Sequence, residues 1–289
     1  MTAPTIDIAL AHALVAEQHP DLADLTIEAL ASGWDNVLFR LGDEYTLRLP
    51  KRVESVPLIE FEARWLGELA PRLPLPVSAP VRVGRPNDSY PWPWLIGHWF
   101  PGAIIASTPL ADPVASARRL GAFTSALHQL APDDAPVNPW RGTPLSDRHD
   151  RTLDAISALE SSDVGDEARR VWADAVSAPE WDGPALWLHG DLHPANILVN
   201  SGEISAIIDW GDITSGDPSS DLFGAWMLFE GDARTAFRES CGHGDDATWR
   251  RARGWALSMC LTYMNHPAST DLMRSIGSQA LPRVLAEPV

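Results

Sequence analysis

Cysteine is almost absent: Cys241 and Cys260 are the only two in 289 residues. Two thiols cannot build a disulfide framework and neither has metal-type spacing, so a reducing cytoplasm is the expected compartment. No apolar run approaches the roughly 20 residues that span a bilayer. The opening stretch MTAPTIDIALAHAL lacks the basic start and apolar core of a secretory leader. Basic side chains are scarce, 22 against 39 acidic, for a formal net charge of −17. That balance argues against a nucleic-acid partner or an anionic membrane surface. It fits a cationic substrate and also fits plain solubility, and on charge alone solubility carries more weight. Internal repeats and low-complexity segments are missing as well.

Tryptophan, by contrast, is abundant. Thirteen of them suggest an aromatic-lined cleft in addition to a core. The length allows two lobes with a sizeable core, and 45% hydrophobic with 21% charged residues is ordinary for a globular chain. The chemistry concentrates between Trp187 and Trp210, WLHGDLHPANILVNSGEISAIIDW. His189-Gly190-Asp191 opens a loop, and Asn196 follows Asp191 within it. Ile197-Leu198-Val199 and Ile204 to Ile208 are short and β-branched, with Ser201-Gly202 between them, which predicts a tight hairpin. Such a hairpin brings Asp209 back beside the Asp191–Asn196 loop. Oxygen donors meeting there suit Mg²⁺, and one carboxylate remains to orient or deprotonate a hydroxyl. A lone HGD tripeptide is more often a turn, and an Asp ending a strand is commonly a cap. The joint pattern is much more specific.

The spacing H-x-D-x-x-x-x-N, then a hairpin and an aspartate, is the layout of the protein-kinase catalytic loop and its metal-binding aspartate. With Gly190 in the middle and Trp210-Gly211 after Asp209, it resembles the aminoglycoside phosphotransferase and choline kinase-like family, whose HGDxHxxN signature fits His189 to Asn196. The stretch Gly216 to Leu222 is similar to that family's GDPxxDLA. The resemblance implies an α+β, bilobal protein-kinase-like fold. A nucleotide-binding lobe over 1–100 would hold an antiparallel sheet with one main helix, and a helical lobe over 101–289 would hold the catalytic loop and acceptor pocket. It implies transfer of the γ-phosphoryl group of ATP or GTP to a small-molecule hydroxyl. Asp191 would face the acceptor hydroxyl, Asn196 and Asp209 would hold Mg²⁺, and His189 and Asp221 would support the loop. The family also has a histidine at His193, which is left without a role.

The N-terminal half reads as a leading helix over 6–18 and then two or three antiparallel strands from Leu25 to Leu49. The breaks are Ser32-Gly33-Trp34-Asp35-Asn36 and Gly42-Asp43. The resemblance makes the first break the nucleotide-covering loop, with Gly33 and Asn36 near phosphates, whereas on its own it is a plain hairpin turn. In Tyr45 to Leu49, Leu47 and Leu49 share one face and Arg48 takes the other. The kinase template has a phosphate-pairing lysine at Arg48. Residues 58–69 repeat apolar side chains at helical spacing, and Glu62 interrupts that face. It either pairs with Arg48 or snorkels to water as an edge residue, while Glu60 and Glu68 are solvated. Pro71 to Pro80 is a connector. Trp92 to Phe100 is a strand that the resemblance runs into a hinge, where a base edge meets backbone near His98 and Phe100. The His98 side chain itself reads as structural.

From Pro113 the pattern is helical, with Leu120, Phe123, Leu127 and Leu130 on a core face and His128 structural beside them. Ser146 to Arg151 reads as a solvated, N-capped first turn in preference to an edge of the acceptor pocket. After Asp163-Val164-Gly165 a helix runs to about Ser177, and Gly216 to Leu222 caps a long apolar helix. Residues 247–265 and 270–285 are the last helices, with Glu230, Asp232, Asp245 and Asp246 available to a cationic acceptor. The leading function is an aminoglycoside-type antibiotic O-phosphotransferase. A macrolide kinase, or a kinase of amino alcohols or sugars, shares the chemistry. A nucleotide-binding module without turnover is opposed by the joint presence of Asp191, Asn196 and Asp209. A metal-dependent hydrolase is suggested by His189 and His193 at i, i+4, and is opposed by Pro194 and the loop context.

Overall fold

The alternation between Leu25 and Pro50 folds into three antiparallel strands, β1 (Ile27–Ser32), β2 (Asn36–Leu41) and β3 (Tyr45–Pro50). The computed structural model describes residues 5–33, 35–159 and 162–286. Trp34, within the expected Ser32–Asn36 break, and residues 1–4 lie outside the described residues. The three strands belong to the first of two units, Met1–Pro101 with Ala206–Gly211. There β4 (Pro80–Gly84) and β5 (Trp94–His98) complete an antiparallel sheet of order β1-β2-β3-β5-β4.

One face of that sheet is closed by α1 (Ile8–Gln18), whose Ala11, Leu14 and Val15 pack with Phe39, Leu41, Leu47, Leu49, Trp94 and Ile96. Each large apolar side chain removed from water there contributes about 1.5–3 kcal/mol. With Leu47 and Leu49 committed to this core, the period of two turns Arg48 to the opposite face. That face meets α2 (Val56–Leu69), which buries Ile59, Glu62, Trp65, Leu66 and Leu69 and leaves Glu60 and Glu68 exposed. Ile207 joins this unit through its backbone: its N–H donates to the Pro76 C=O at 2.9 Å, and its C=O accepts from the Ser78 N–H at 3.2 Å.

The second unit, Gly102–Ser205 with Asp212–Val289, is mostly helical. In order it contains β6 (Ala103–Ile104), α3 (Pro113–Leu127), α4 (His149–Ser157), α5 (Ser162–Ser177), β7 (Leu186–Leu188) and β8 (Ile197–Asn200). Then come β9 (Glu203–Ile207), which ends in the first unit, β10 (Thr214–Gly216), α6 (Ser219–Leu222), α7 (Gly224–Leu228), α8 (Gly231–Ser240), α9 (Asp246–Asn265) and α10 (Asp271–Leu285). The expected β8–β9 hairpin forms, with Ser201 at φ 53° and Gly202 at φ 81°, two left-handed residues as a primed turn requires. Buried along most of its length, α9 packs against α5, α6 and α10.

Tertiary contacts override local pattern in four places. Leu130 is 68% exposed, because α3 ends at Leu127 and the chain leaves the helix to bridge Leu186. Ser146 to Arg151 is not a solvated capped turn: α4 has no side-chain cap, and Arg148 is buried against α9. The long apolar helix after Leu222 is two short ones, α6 and α7. Phe223 separates them, and Gly224 opens α7, where an added Cβ would come 2.5 Å from the Leu192 C=O. The tryptophans serve the core more than a cleft: Trp65, Trp94, Trp172, Trp187, Trp210, Trp226, Trp249 and Trp255 are all buried, and among the described residues Trp140 is the exposed one.

Candidate active site

The His189-Gly190-Asp191 turn is clamped from below. Asp221 accepts the His189 N–H at 2.7 Å and the Gly190 N–H at 2.8 Å, and its Oδ2 lies 3.2 Å from the His128 Nε2. Gly190 has φ 86°, and a Cβ there would fall 2.1 Å from the Asp212 C=O, so only glycine fits this turn. His189 is buried, and its Nδ1 accepts the Asp191 N–H at 3.2 Å. The carboxylate of Asp191 is thereby held out of the loop with its side chain 20% exposed.

Three donors meet that carboxylate. Arg141 Nη2 reaches Oδ1 at 3.0 Å, the Tyr263 hydroxyl donates to Oδ1 at 3.3 Å, and His193 Nε2 lies 3.1 Å from Oδ2. Because His193 Nδ1 accepts the Ala195 N–H at 3.1 Å, its proton sits on Nε2, facing Asp191. Burial alone would raise the Asp191 carboxyl, but the neighbouring His193 and the Arg141 guanidinium outweigh it and hold it far below the ordinary carboxylate range. Burial, reinforced by the Asp191 charge, keeps Tyr263 a phenol. Arg141 also lies 3.8 Å from Asp212, whose Oδ1 accepts from Asn138 Nδ2 at 2.7 Å. Neither Arg141, in a Pro- and Asp-rich loop, nor Tyr263, on α9, was signalled by the motif.

In the first unit Arg48 Nη2 bonds Glu62 Oε2, and Glu62 is 2% exposed, so it is a paired buried carboxylate and not an edge residue. Arg48 Nη1 lies 3.8 Å from Asp209, whose side chain is 60% exposed. Burial would lower the Arg48 pKa, but the charges of Glu62 and Asp209 outweigh it and raise it. Asp209 has φ 60°, a left-handed backbone uncommon outside glycine and concentrated at functional sites. Gly33 closes the β1–β2 turn through its N–H to the Asn36 C=O at 2.9 Å, and among the described residues the buried Asn36 Oδ1 has no partner. The only lysine of the chain, Lys51, donates to Ser32 Oγ and the Gly33 C=O, both at 3.1 Å. It puts a second cation on this turn that sequence reasoning overlooked. At the other end of the sheet, His98 stacks on Tyr45, and together with Trp99, Phe100 and Arg40 it lines a cleft of about 620 Å³.

Asn196 shares the Asp191 loop, donating Nδ2 to the Asp191 C=O at 3.0 Å. Its amide oxygen accepts no hydrogen bond among the described residues. The donor atoms of Asn196 and Asp209 are hard oxygens, which fit Mg²⁺. Among the described residues no group of three or more His, Cys, Asp or Glu is arranged for a metal. His189 and His193 each spend Nδ1 on a backbone N–H of their own loop.

Residues 26–255 match the model of the phosphotransferase enzyme family, APH. The chain belongs to that family. This phosphotransferase is 25% identical over 215 residues to the uncharacterized protein YcbJ of Bacillus subtilis (strain 168), a match covering 68% of the chain and 66% of YcbJ. In structure it is similar to the GDP and kanamycin complex of APH(2")-IIIa, at 19% identity and a TM-score of 0.73 over 95% of this chain and 98% of that one. It is also similar to the macrolide 2'-phosphotransferase MphH from Brachybacterium faecium, at 22% identity and a TM-score of 0.64 over 95% and 97%. These likenesses show the fold, and the kinase-like α+β architecture expected from the sequence is the one found.

Proposed function

We propose that this phosphotransferase moves the γ-phosphoryl group of ATP or GTP to a hydroxyl of a small molecule in the cytoplasm. The observation that carries the proposal is Asp191: a partly exposed carboxylate, kept ionised by three donors, on a loop braced by Asp221. An acceptor hydroxyl would take the place of the long Tyr263 bond and be oriented by Asp191. With its pKa held so low, the carboxylate positions the hydroxyl more than it removes the proton. Asn196 and Asp209 would hold Mg²⁺, which when bound neutralises charge on the nucleotide phosphates. Arg48, anchored by Glu62, and the turn of Gly33, Asn36 and Lys51 would face the phosphates, with the base against backbone near His98 and Phe100.

An aminoglycoside acceptor has support in the solved relatives, one of which is a kanamycin complex and another a gentamicin complex. It has none in the side chains bonded to Asp191. The test is a panel of aminoglycosides, macrolides, amino alcohols, sugars and hydroxy acids, each with ATP and with GTP, read by the mass gain of one phosphate. Transfer to at least one acceptor is expected. Nucleotide binding with no transfer to any of them would favour a binding module without turnover.

A further inference from the structure

Apart from Asp212, which shares Arg141 at 3.8 Å, the side chains grouped near Asp191 in the second unit are basic and aromatic. Arg141 bonds Asp191 directly. Arg148, 5% exposed, donates Nε to Ser258 Oγ at 2.8 Å and Nη2 to Thr262 Oγ1 at 3.3 Å, one residue before Tyr263 on α9. Its guanidinium lies 4.9 Å from the Trp255 ring centroid, and among the described residues no carboxylate pairs with it. A buried cation held only by hydroxyls and a ring face is costly, because its desolvation is not offset by an opposite charge. Burial and the like charges of Arg141 and Arg151 push its pKa down to about 9. Arg151, on the next turn of α4, lies 5.1 Å over the ring of Trp140, which is 57% exposed and adjoins Arg141.

Several of the carboxylates that a polycation would require are engaged elsewhere. Glu230 pairs with Arg283, Asp245 caps α9 through the Thr248 N–H, and Asp217 is bonded by Arg251. Resting on the reading of Asp191 as the acceptor-facing carboxylate, we infer that the acceptor is a hydroxylated anion, its carboxylate or phosphate seated among Arg141, Arg148 and Arg151 and its apolar part on Trp140. The overall negative charge of the chain does not oppose this, since exposed charges farther than about 8 Å are screened at physiological ionic strength.

Three probes on one carbon frame test it by calorimetry on the full chain with nucleotide bound: 3-phenyllactate, 3-phenylpropane-1,2-diol and 2-amino-3-phenylpropan-1-ol. A charge-assisted bond is worth about 1.5–3 kcal/mol, so phenyllactate should bind at least about tenfold more tightly than the diol or the amine. Arg148→Met should remove about tenfold of that affinity and leave nucleotide affinity unchanged. Arg151→Ala, at an exposed position, repeats the test if Arg148→Met does not fold. Displacement by inorganic phosphate at lower concentration than by acetate assigns a phosphate-bearing acceptor, and the reverse order a carboxylate. The inference is overturned if the amine or the diol binds more tightly, if no probe binds, or if folded arginine variants bind phenyllactate as wild type does. Transfer to a cationic acceptor only would overturn it while the kinase reading stands. Phenyllactate binding with no transfer to any acceptor would do the opposite.

Discussion

Glu62 and Asp191 are both carboxylates held by an arginine, one in each unit, and they are built to different ends. Glu62 sits on a helix, 2% exposed, with Arg48 as its bonded partner. Asp191 sits on a loop, 20% exposed, and shares its charge among Arg141, His193 and Tyr263. A carboxylate with one cationic partner cannot release it without leaving a buried charge on each side. One with three donors can exchange the weakest for an incoming hydroxyl and remain ionised. The first arrangement makes an anchor, the second a site.

The largest effect is expected where the turn beneath Asp191 is broken. Gly190→Ala needs a left-handed alanine and moves the Asp212 backbone, together costing about 2–5 kcal/mol in denaturant unfolding. Gly33→Ala is the control: among the described residues its Cβ would meet nothing closer than the Asn36 C=O at 3.8 Å, so it should stay within about 0.5 kcal/mol of wild type. Next comes the anchor. Glu62→Gln keeps a hydrogen bond to Arg48 but loses the charge, for an expected loss of about 2–3 kcal/mol, just below the range for breaking a buried pair. It should also raise the nucleotide KM. Unchanged stability and KM would mean that Asp209 alone suffices for Arg48.

Acid separates the charge on Asp191 from the stability of the unit that holds it. Asp191, held low, keeps its charge well below pH 5, so no acid limb of kcat/KM should belong to it. Burial, then the neighbouring His128, pushes the His243 pKa from 6.5 down to about 4. Between those values the folded state binds fewer protons than the unfolded one. Stability from this group is therefore complete above about pH 6.5 and is lost as the pH falls through 4. A Tm series from pH 7 to 4 should fall less steeply for His243→Gln than for wild type, and parallel curves would remove His243 from the account.

What the sequence made legible was local. The β8–β9 hairpin, the alternation that turns Arg48 from its core neighbours, and the helical periods of α2 and α9 need only neighbours a few residues away. Two of the three partners of Asp191 were hidden because they arrive from afar: Arg141 lies 50 residues before it and Tyr263 72 residues after it. Arg148 looked like a surface turn because its hydroxyl partner on α9 is 110 residues away. Lys51 escaped because the template asks for one cation on β3, and Arg48 already filled that position.

The central claim is that Asp191 orients the acceptor hydroxyl and does not hold the fold together. The most direct measurement is phosphate transfer by Asp191→Asn on whichever acceptor the panel identifies, with nucleotide affinity and Tm taken on the same protein. Asparagine keeps the shape and an accepting oxygen for Arg141 but loses a charge that its surroundings favour, so about 1–3 kcal/mol of stability should be lost while the protein stays folded. Nucleotide affinity should be unchanged, and kcat should fall by about 10²–10⁴. Turnover at the wild-type rate in a folded Asp191→Asn protein would contradict the account.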